Sequence, residues 1–379
     1  MQEKNIFLIR LKKIFIKSNG RGFNSISDAC LIINKVGDIM NIDKNLLTND
    51  LRRLRSYVEN GRKDDIKYEY ARLYWFNETC IDLFDLGYED VDLTEQDYEM
   101  IRLFEKKEKR KLLEFIKNNI DVLRGIDNFV KRLDANGFDA INWCNLKQFN
   151  ENEIKDIMLS YYSTFGNKTY LIAKKHFDEK RISLNHGNNY QGYYIYSTNI
   201  KDGYIYLNDG LIDTSVVADL AHELGHAYDF NTFIIPQSKK YSNIRDPYLE
   251  VPSTFFEIDF LNYLISQNID RKGARTLKNS RVYQLVTEDD FEFSDYSKEL
   301  RENLLYKLGY YFAFHLCEVC ENKEKFLKQF NNFLTSRCEA DIEALLSFVG
   351  IDYDEFLSGD IIMHPLLSNN KILSKNLNY

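Results

Sequence analysis

A chain of 379 residues, 44% hydrophobic and 28% charged, has the composition of a folded globular protein and lies far from the disordered class. Its 58 acidic and 50 basic residues give a formal charge of -8 and are spread along the chain, so no basic domain points to nucleic acid. Six cysteines, at 30, 80, 144, 317, 320 and 338, are too sparse for the disulfide framework of a small secreted domain and read as reduced thiols. Arg10, Lys12 and Lys13 interrupt the N-terminal apolar residues before a signal-peptide core forms, and no run approaches a membrane span, which makes the cytoplasm the expected compartment.

The four prolines stand at 236, 247, 252 and 365, so the first 235 residues lack the commonest helix breaker. Apolar residues at three- and four-residue spacings predict helices over Leu51 to Val58, Tyr68 to Phe84 and Tyr98 to Leu123, the last after Thr94 as N-cap. Within it the run EKKEKRK reads as a solvated face. Gly20 and Gly22 follow no clear strand, which argues against a phosphate loop. We expect residues 1–150 to form an N-terminal helical lobe and 151–379 a separate region that carries the chemistry.

From Glu151 the texture changes. The helical pattern EIKDIMLSYYSTFG leads through TYLIAKKHFDEKRI and the Gly- and Asn-rich HGNNYQGYY to two aromatic, β-branched runs, YYIYS at 193–197 and YIYLN at 204–208. A turn through Lys201, Asp202 and Gly203 joins these predicted strands.

The next helix reads A-H-E-L-G-H-A-Y-D from Ala221 to Asp229. His222 and His226 are four residues apart, so both imidazoles leave one helix face and can converge on one ion, with Glu223 beside them. Such a helix supplies two neutral nitrogen ligands and a carboxylate base to many zinc hydrolases. In zinc peptidases an edge strand before the motif can pair with an extended peptide, the role open to YIYLN; an ordinary hairpin covering the core is the alternative. A catalytic zinc needs a third protein ligand and an open position, and the candidate is Glu250 in Y-L-E-V-P-S-T-F-F-E. Pro252 and Ser253 suit the first turn of a second helix running to about Ile265. Glu257, two turns along the same face, is a candidate acceptor that orients a ligand histidine.

HELGHA followed by EVPSTFFE resembles the thimet oligopeptidase and oligoendopeptidase F family of zinc metallopeptidases, whose third ligand is the first glutamate of a comparable E-x-x-S-x-x-x-E segment. The likeness extends upstream to FGNKTYLIAKKHFDEKRI and YIYLN, and downstream to FLTSRCEADIEALLSFVGID. It implies a mainly α, two-lobed helical zinc-peptidase fold with a deep cleft and a small β-sheet beside the active-site helix. It also implies one Zn²⁺ on His222, His226 and Glu250, with Glu223 as general base, and hydrolysis of internal bonds of short peptides through a zinc-activated water. Gly225, between these residues, either keeps the approach to the metal open or serves helix packing.

The family's later helix carries tyrosines that donate to the tetrahedral oxyanion, and the matching NLLYKLGYYFAFHL offers Tyr306, Tyr310 and Tyr311. Tyr306 and Tyr310, four apart, share a face and are preferred. The family's histidine shortly before these tyrosines has no counterpart in Phe291 to Asn303, where Arg301 stands near its place. That departure and the short N-terminal half leave a second reading: a catalytically weak or inactive peptide-binding protein on a metallopeptidase scaffold. A helical interaction protein with accidental motifs is a third. Cys317 and Cys320, with His315 just before them, lie in an apolar helical stretch and read as buried thiols. His176, His186 and His364 are isolated and read as structural or surface residues. Neither a nucleic acid nor a membrane is an expected partner.

Overall fold

Helices with apolar positions recurring at three- and four-residue intervals build most of the molecule, and one small sheet lies against the helix that carries the paired histidines. The computed structural model describes residues 46–55, 76, 79, 80, 83, 93–126, 145–186, 192–197, 202–208, 212–234, 249–286, 298–336 and 342–358. All belong to the unit Leu46–Tyr379. The expectations on Gly20, Gly22, Cys30, Cys144, Cys338 and His364, and on most of Tyr68 to Phe84, lie outside the described residues.

Residues 46–55 are helical. Helix α1 (Glu95–Asn118) starts where the sequence places its cap: the Thr94 side chain accepts from Asp97 N–H while the Asp97 carboxylate accepts from Thr94 N–H at 2.7 Å. Glu105, Lys106, Lys109 and Arg110 of its charged run are exposed. Helices α2 (Glu151–Ser163) and α3 (Asn167–Asp178) follow, α2 closed by a capping box between Asn150 and Glu153.

The sheet has three strands, β1 (Ile182–His186), β2 (Gly192–Ser197) and β3 (Asp202–Asn208), in the order β1-β3-β2. β3 runs parallel to β1 and antiparallel to β2, with Tyr194 opposite Ile205. This corrects two expectations. Asp202 and Gly203 begin the strand rather than the turn. The YIYLN strand is central, so both of its edges are already hydrogen-bonded and it has no edge to offer a peptide; among the described residues β2 is an edge strand instead. β1 escaped the sequence reading because Ser183 and Asn185 dilute its apolar signal.

Alternation along these strands feeds two apolar clusters. Ile205 and Leu207 join the large core formed with the later helices, whereas Tyr206 and Ile195 pack with Leu47, Leu51, Phe76 and Phe104.

After β3 comes α4 (Thr214–Asp229), which is capped by Asp213, whose carboxylate accepts from Ser215 N–H at 2.8 Å and Val216 N–H at 3.3 Å. It ends in a π-helical turn, Phe230–Ile234. Helix α5 (Glu250–Ser266) packs against α4, α6 (Arg271–Val286) and α7 (Lys298–Val319), and is buried on nearly every side from Glu250 to Leu261. Helices α8 (Lys323–Ser336), α9 (Ile342–Phe348) and α10 (Tyr353–Ser358) complete the described chain. Two tyrosines of α2 fasten this packing: Tyr161 donates to the Phe256 carbonyl at 2.9 Å and Tyr162 to the Ala221 carbonyl at 2.8 Å.

Two glycines let α5 approach its neighbours. A Cβ on Gly225 would stand 2.9 Å from the Ser253 Cα, and one on Gly309 would stand 3.0 Å from Thr254 and 3.1 Å from the Glu250 Cβ. Of the two readings of Gly225, its closest contact supports helix packing. Because the obstacle is backbone, Gly225→Ala should push α4 and α5 apart and cost about 1–3 kcal/mol, the usual range for overpacking, measurable by urea denaturation.

Candidate active site

The expected residues come together. His222 and His226 sit one turn apart on α4, with ring centroids 4.9 Å apart, and Glu250 opens α5 directly opposite. The Glu250 Oε2 lies 3.1 Å from His222 Nε2 and 3.3 Å from His226 Nε2. Ser253 Oγ donates to the same oxygen at 3.0 Å, which fixes the carboxylate from its own first turn.

These three residues form a group that could hold a metal ion, the donor atoms lying within 4.8 Å of one another. Tetrahedral zinc with bonds of about 2.0–2.1 Å holds its ligand atoms roughly 3.3 Å apart, which the two N···O separations match. Two imidazoles and one carboxylate, with a coordination position left over, also match the donor chemistry of catalytic zinc. Among the described residues no other group of three or more His, Cys, Asp and Glu side chains converges in this way.

A second layer surrounds the histidines. His222 Nδ1 is 3.1 Å from Glu257 Oε2. A carboxylate only accepts, so Nδ1 carries a proton, and in the neutral ring the Nε2 lone pair is left for an ion. The same Glu257 oxygen accepts from Tyr310 OH at 2.9 Å, and the other oxygen, Oε1, accepts from Arg281 Nε. Arg281 also donates through Nη2 to Asp219 at 2.7 Å. Sequence reasoning missed Arg281 and Asp219. Asp219 had a readable signal, standing one helical turn before His222 on the same face, whereas Arg281 belongs to no motif.

The buried charges shift one another. Burial alone would lower His222, but hydrogen bonds to Glu250 and Glu257 and the negative charges of Glu250 and Glu223 hold it well above an ordinary histidine. Burial would raise Glu250 and Glu257, yet the imidazoles keep Glu250 well below the usual carboxylate range, and Arg281 and His222 do the same, less strongly, for Glu257. Glu223 follows burial instead: desolvation, opposed by both histidines, lifts it to about 7. Its carboxylate lies close to the start of β2, since a Cβ on Gly192 would stand 3.3 Å from Glu223 Oε1.

The tyrosines divide. Tyr306 is 40% exposed and its ring stacks over His222 at 6.2 Å. Tyr310 shares that face but is buried, its proton engaged by Glu257. Tyr311 turns into the core against Phe312 and Phe356. The Arg301 side chain lies outside those described. Cys317 and Cys320 are half-buried free thiols, and burial pushes Cys320 up to about 12. His176 is fully buried with Nδ1 2.9 Å from the Ile172 carbonyl, which agrees with a structural role. The His186 side chain is not among those described.

No family model and no curated protein matches the chain. Among solved structures it is similar to a candidate oligoendopeptidase F from Bacillus anthracis str. Ames, with 13% identity, 81% of this chain and 67% of that chain covered, and a TM-score of 0.46. It is similar also to PZ peptidase A with an inhibitor (12% identity, 88% and 74% covered, TM-score 0.40). A further candidate oligoendopeptidase F gives 12% identity, 87% and 75% covered, and a TM-score of 0.43. Among the described residues no helix is long and apolar enough to cross a membrane.

The histidines must be neutral to bind a cation, and His222 keeps its proton to higher pH than an ordinary histidine. Zinc affinity, measured by competition with a chromophoric chelator, should therefore rise with pH and go on rising past the range in which an ordinary histidine has lost its proton, with a limit of one ion per chain.

Proposed function

We propose that the protein is a zinc-dependent oligoendopeptidase that hydrolyses internal bonds of short peptides. The observation that carries this reading is the convergence of His222 Nε2, His226 Nε2 and Glu250 Oε2, with Glu223 on the next residue of the same helix. His222, His226 and Glu250 would hold one Zn²⁺. When bound, the ion acts as a Lewis acid that lowers the pKa of water toward neutrality and polarises the peptide carbonyl.

The chain's own residues do the rest. Glu223 is the general base, taking a proton from the attacking water and handing it to the leaving amine. Its elevated value suits a group that must both accept and return a proton, and the charge of a cation beside it would draw that value down. Glu257 keeps His222 in the tautomer that presents Nε2. Of the tyrosines, Tyr306 is exposed beside His222 and is the better candidate to donate to the developing oxyanion; Tyr310 would do so only by leaving Glu257. Every one of these residues lies in 151–379, which supports that part as the catalytic region. A cleft between helical lobes would restrict substrates to short peptides. A reducing compartment, the cytoplasm in our reading, suits the free thiols of Cys317 and Cys320.

Glu223→Gln should retain zinc and lose hydrolysis of a mixed quenched-peptide library by about 10²–10⁴-fold, the usual worth of a general base. Full activity in that variant would sink the mechanism. Zinc-loaded wild-type protein that binds these peptides without ever cleaving them would favour the inactive-scaffold reading. Tyr306→Phe should lower kcat by about 10²-fold with KM little changed, measured by steady-state kinetics, because an oxyanion donor acts only as charge develops.

A further inference from the structure

Arg281 is a buried guanidinium, 7% exposed, on a helix that supplies neither a histidine nor a carboxylate to the candidate centre. Its fork spans two helices: Nε donates to Glu257 Oε1 on α5, and Nη2 donates to Asp219 Oδ1 on α4 at 2.7 Å. Asp219 lies one turn before His222, and Glu257 Oε2 meets His222 Nδ1 at 3.1 Å. The contacts thus close a ring: His222 to Glu257, Glu257 to Arg281, Arg281 to Asp219, and Asp219 back through α4 to His222. A carboxylate gripped at one oxygen cannot rotate, so its second oxygen stays aimed at the imidazole and at Tyr310.

We infer that Arg281 is a positioning residue for the metal centre: by locking the Glu257 carboxylate against α4 it fixes the ring plane and tautomer of His222. The inference rests on the zinc reading above. A lysine would keep the charge but not the fork, since an ammonium on a flexible stem cannot reproduce two donors of fixed geometry.

The test is zinc affinity, by chelator competition, of wild type, Arg281→Lys, Glu257→Gln and the double variant Arg281→Met/Glu257→Gln, with thermal melting as the check on folding. Arg281→Lys should melt close to wild type and bind zinc about 10–100-fold more weakly, the loss usual when the partner of a ligand histidine is disturbed. The double variant removes both charges of that pair and should bind zinc as Glu257→Gln alone does, because Arg281 reaches the imidazole through Glu257; its melting, compared with that of Glu257→Gln, reads the separate cost of leaving Asp219 without its guanidinium. Wild-type zinc affinity in folded Arg281→Lys would overturn the inference. So would a further loss in the double variant beyond Glu257→Gln, or failure of both Arg281 variants to fold, which would make the residue purely structural. Absence of zinc binding by the wild-type protein would instead sink the metal-centre reading and is distinguishable in the same titration.

Discussion

The close seating of α5 between α4 and α7 is the constraint on which the site depends. Glu250 reaches both histidines only because its helix lies near enough to α4 for a carboxylate of two methylenes to span the gap. That distance is set by what is missing: side chains at Gly225 and Gly309, where the facing atoms belong to Ser253, Thr254 and Glu250 itself. Thr254 then turns its hydroxyl back on the Glu250 carbonyl, which holds the first turn of α5 in place. The two motifs are therefore legible as candidate ligands, while the residues that set their spacing are small and carry no chemistry of their own.

Charge is the second organising fact. Asp219, Glu250 and Glu257 are three carboxylates in one interior region, and Glu223 lies beside them on α4. Buried charges persist only when paired. Arg281 serves Asp219 and Glu257, and the imidazoles serve Glu250. Burial still raises Asp219 to about 6 and Glu223 to about 7, so the pairing is incomplete where the proposed base stands. A divalent cation at the three donors would supply the positive charge this region is short of.

How much of this was readable depends on whether the cue was local. The four-residue spacing of His222 and His226, the Pro252 turn and the Thr94 cap are short-range patterns, and each element stands where the pattern puts it. β1 was not legible, because a short strand with polar residues takes its identity from the neighbour it pairs with. The centrality of β3 was hidden for the same reason. Arg281 lies 55 residues beyond His226, and nothing in the sequence around it marks a partner on another helix. Tyr310 was legible as a residue on the site's face, but its engagement with Glu257 was not, since a shared face does not tell which of two neighbouring hydroxyls is drawn inward.

The sheet has a consequence for how the chain unfolds. Tyr206 and Ile195 belong to the cluster of Leu47, Leu51, Phe76 and Phe104, while the neighbouring Ile205 and Leu207 belong to the cluster of the histidine helix. No strand can leave one cluster and stay in the other, because alternate side chains on the same backbone serve both. The wall between the clusters is thus held in common, and melting either one strips half the side chains from the strands that support the other. The two clusters should therefore melt together, although Leu47 and Leu51 lie more than a hundred positions before Ile195 and Tyr206 in the chain.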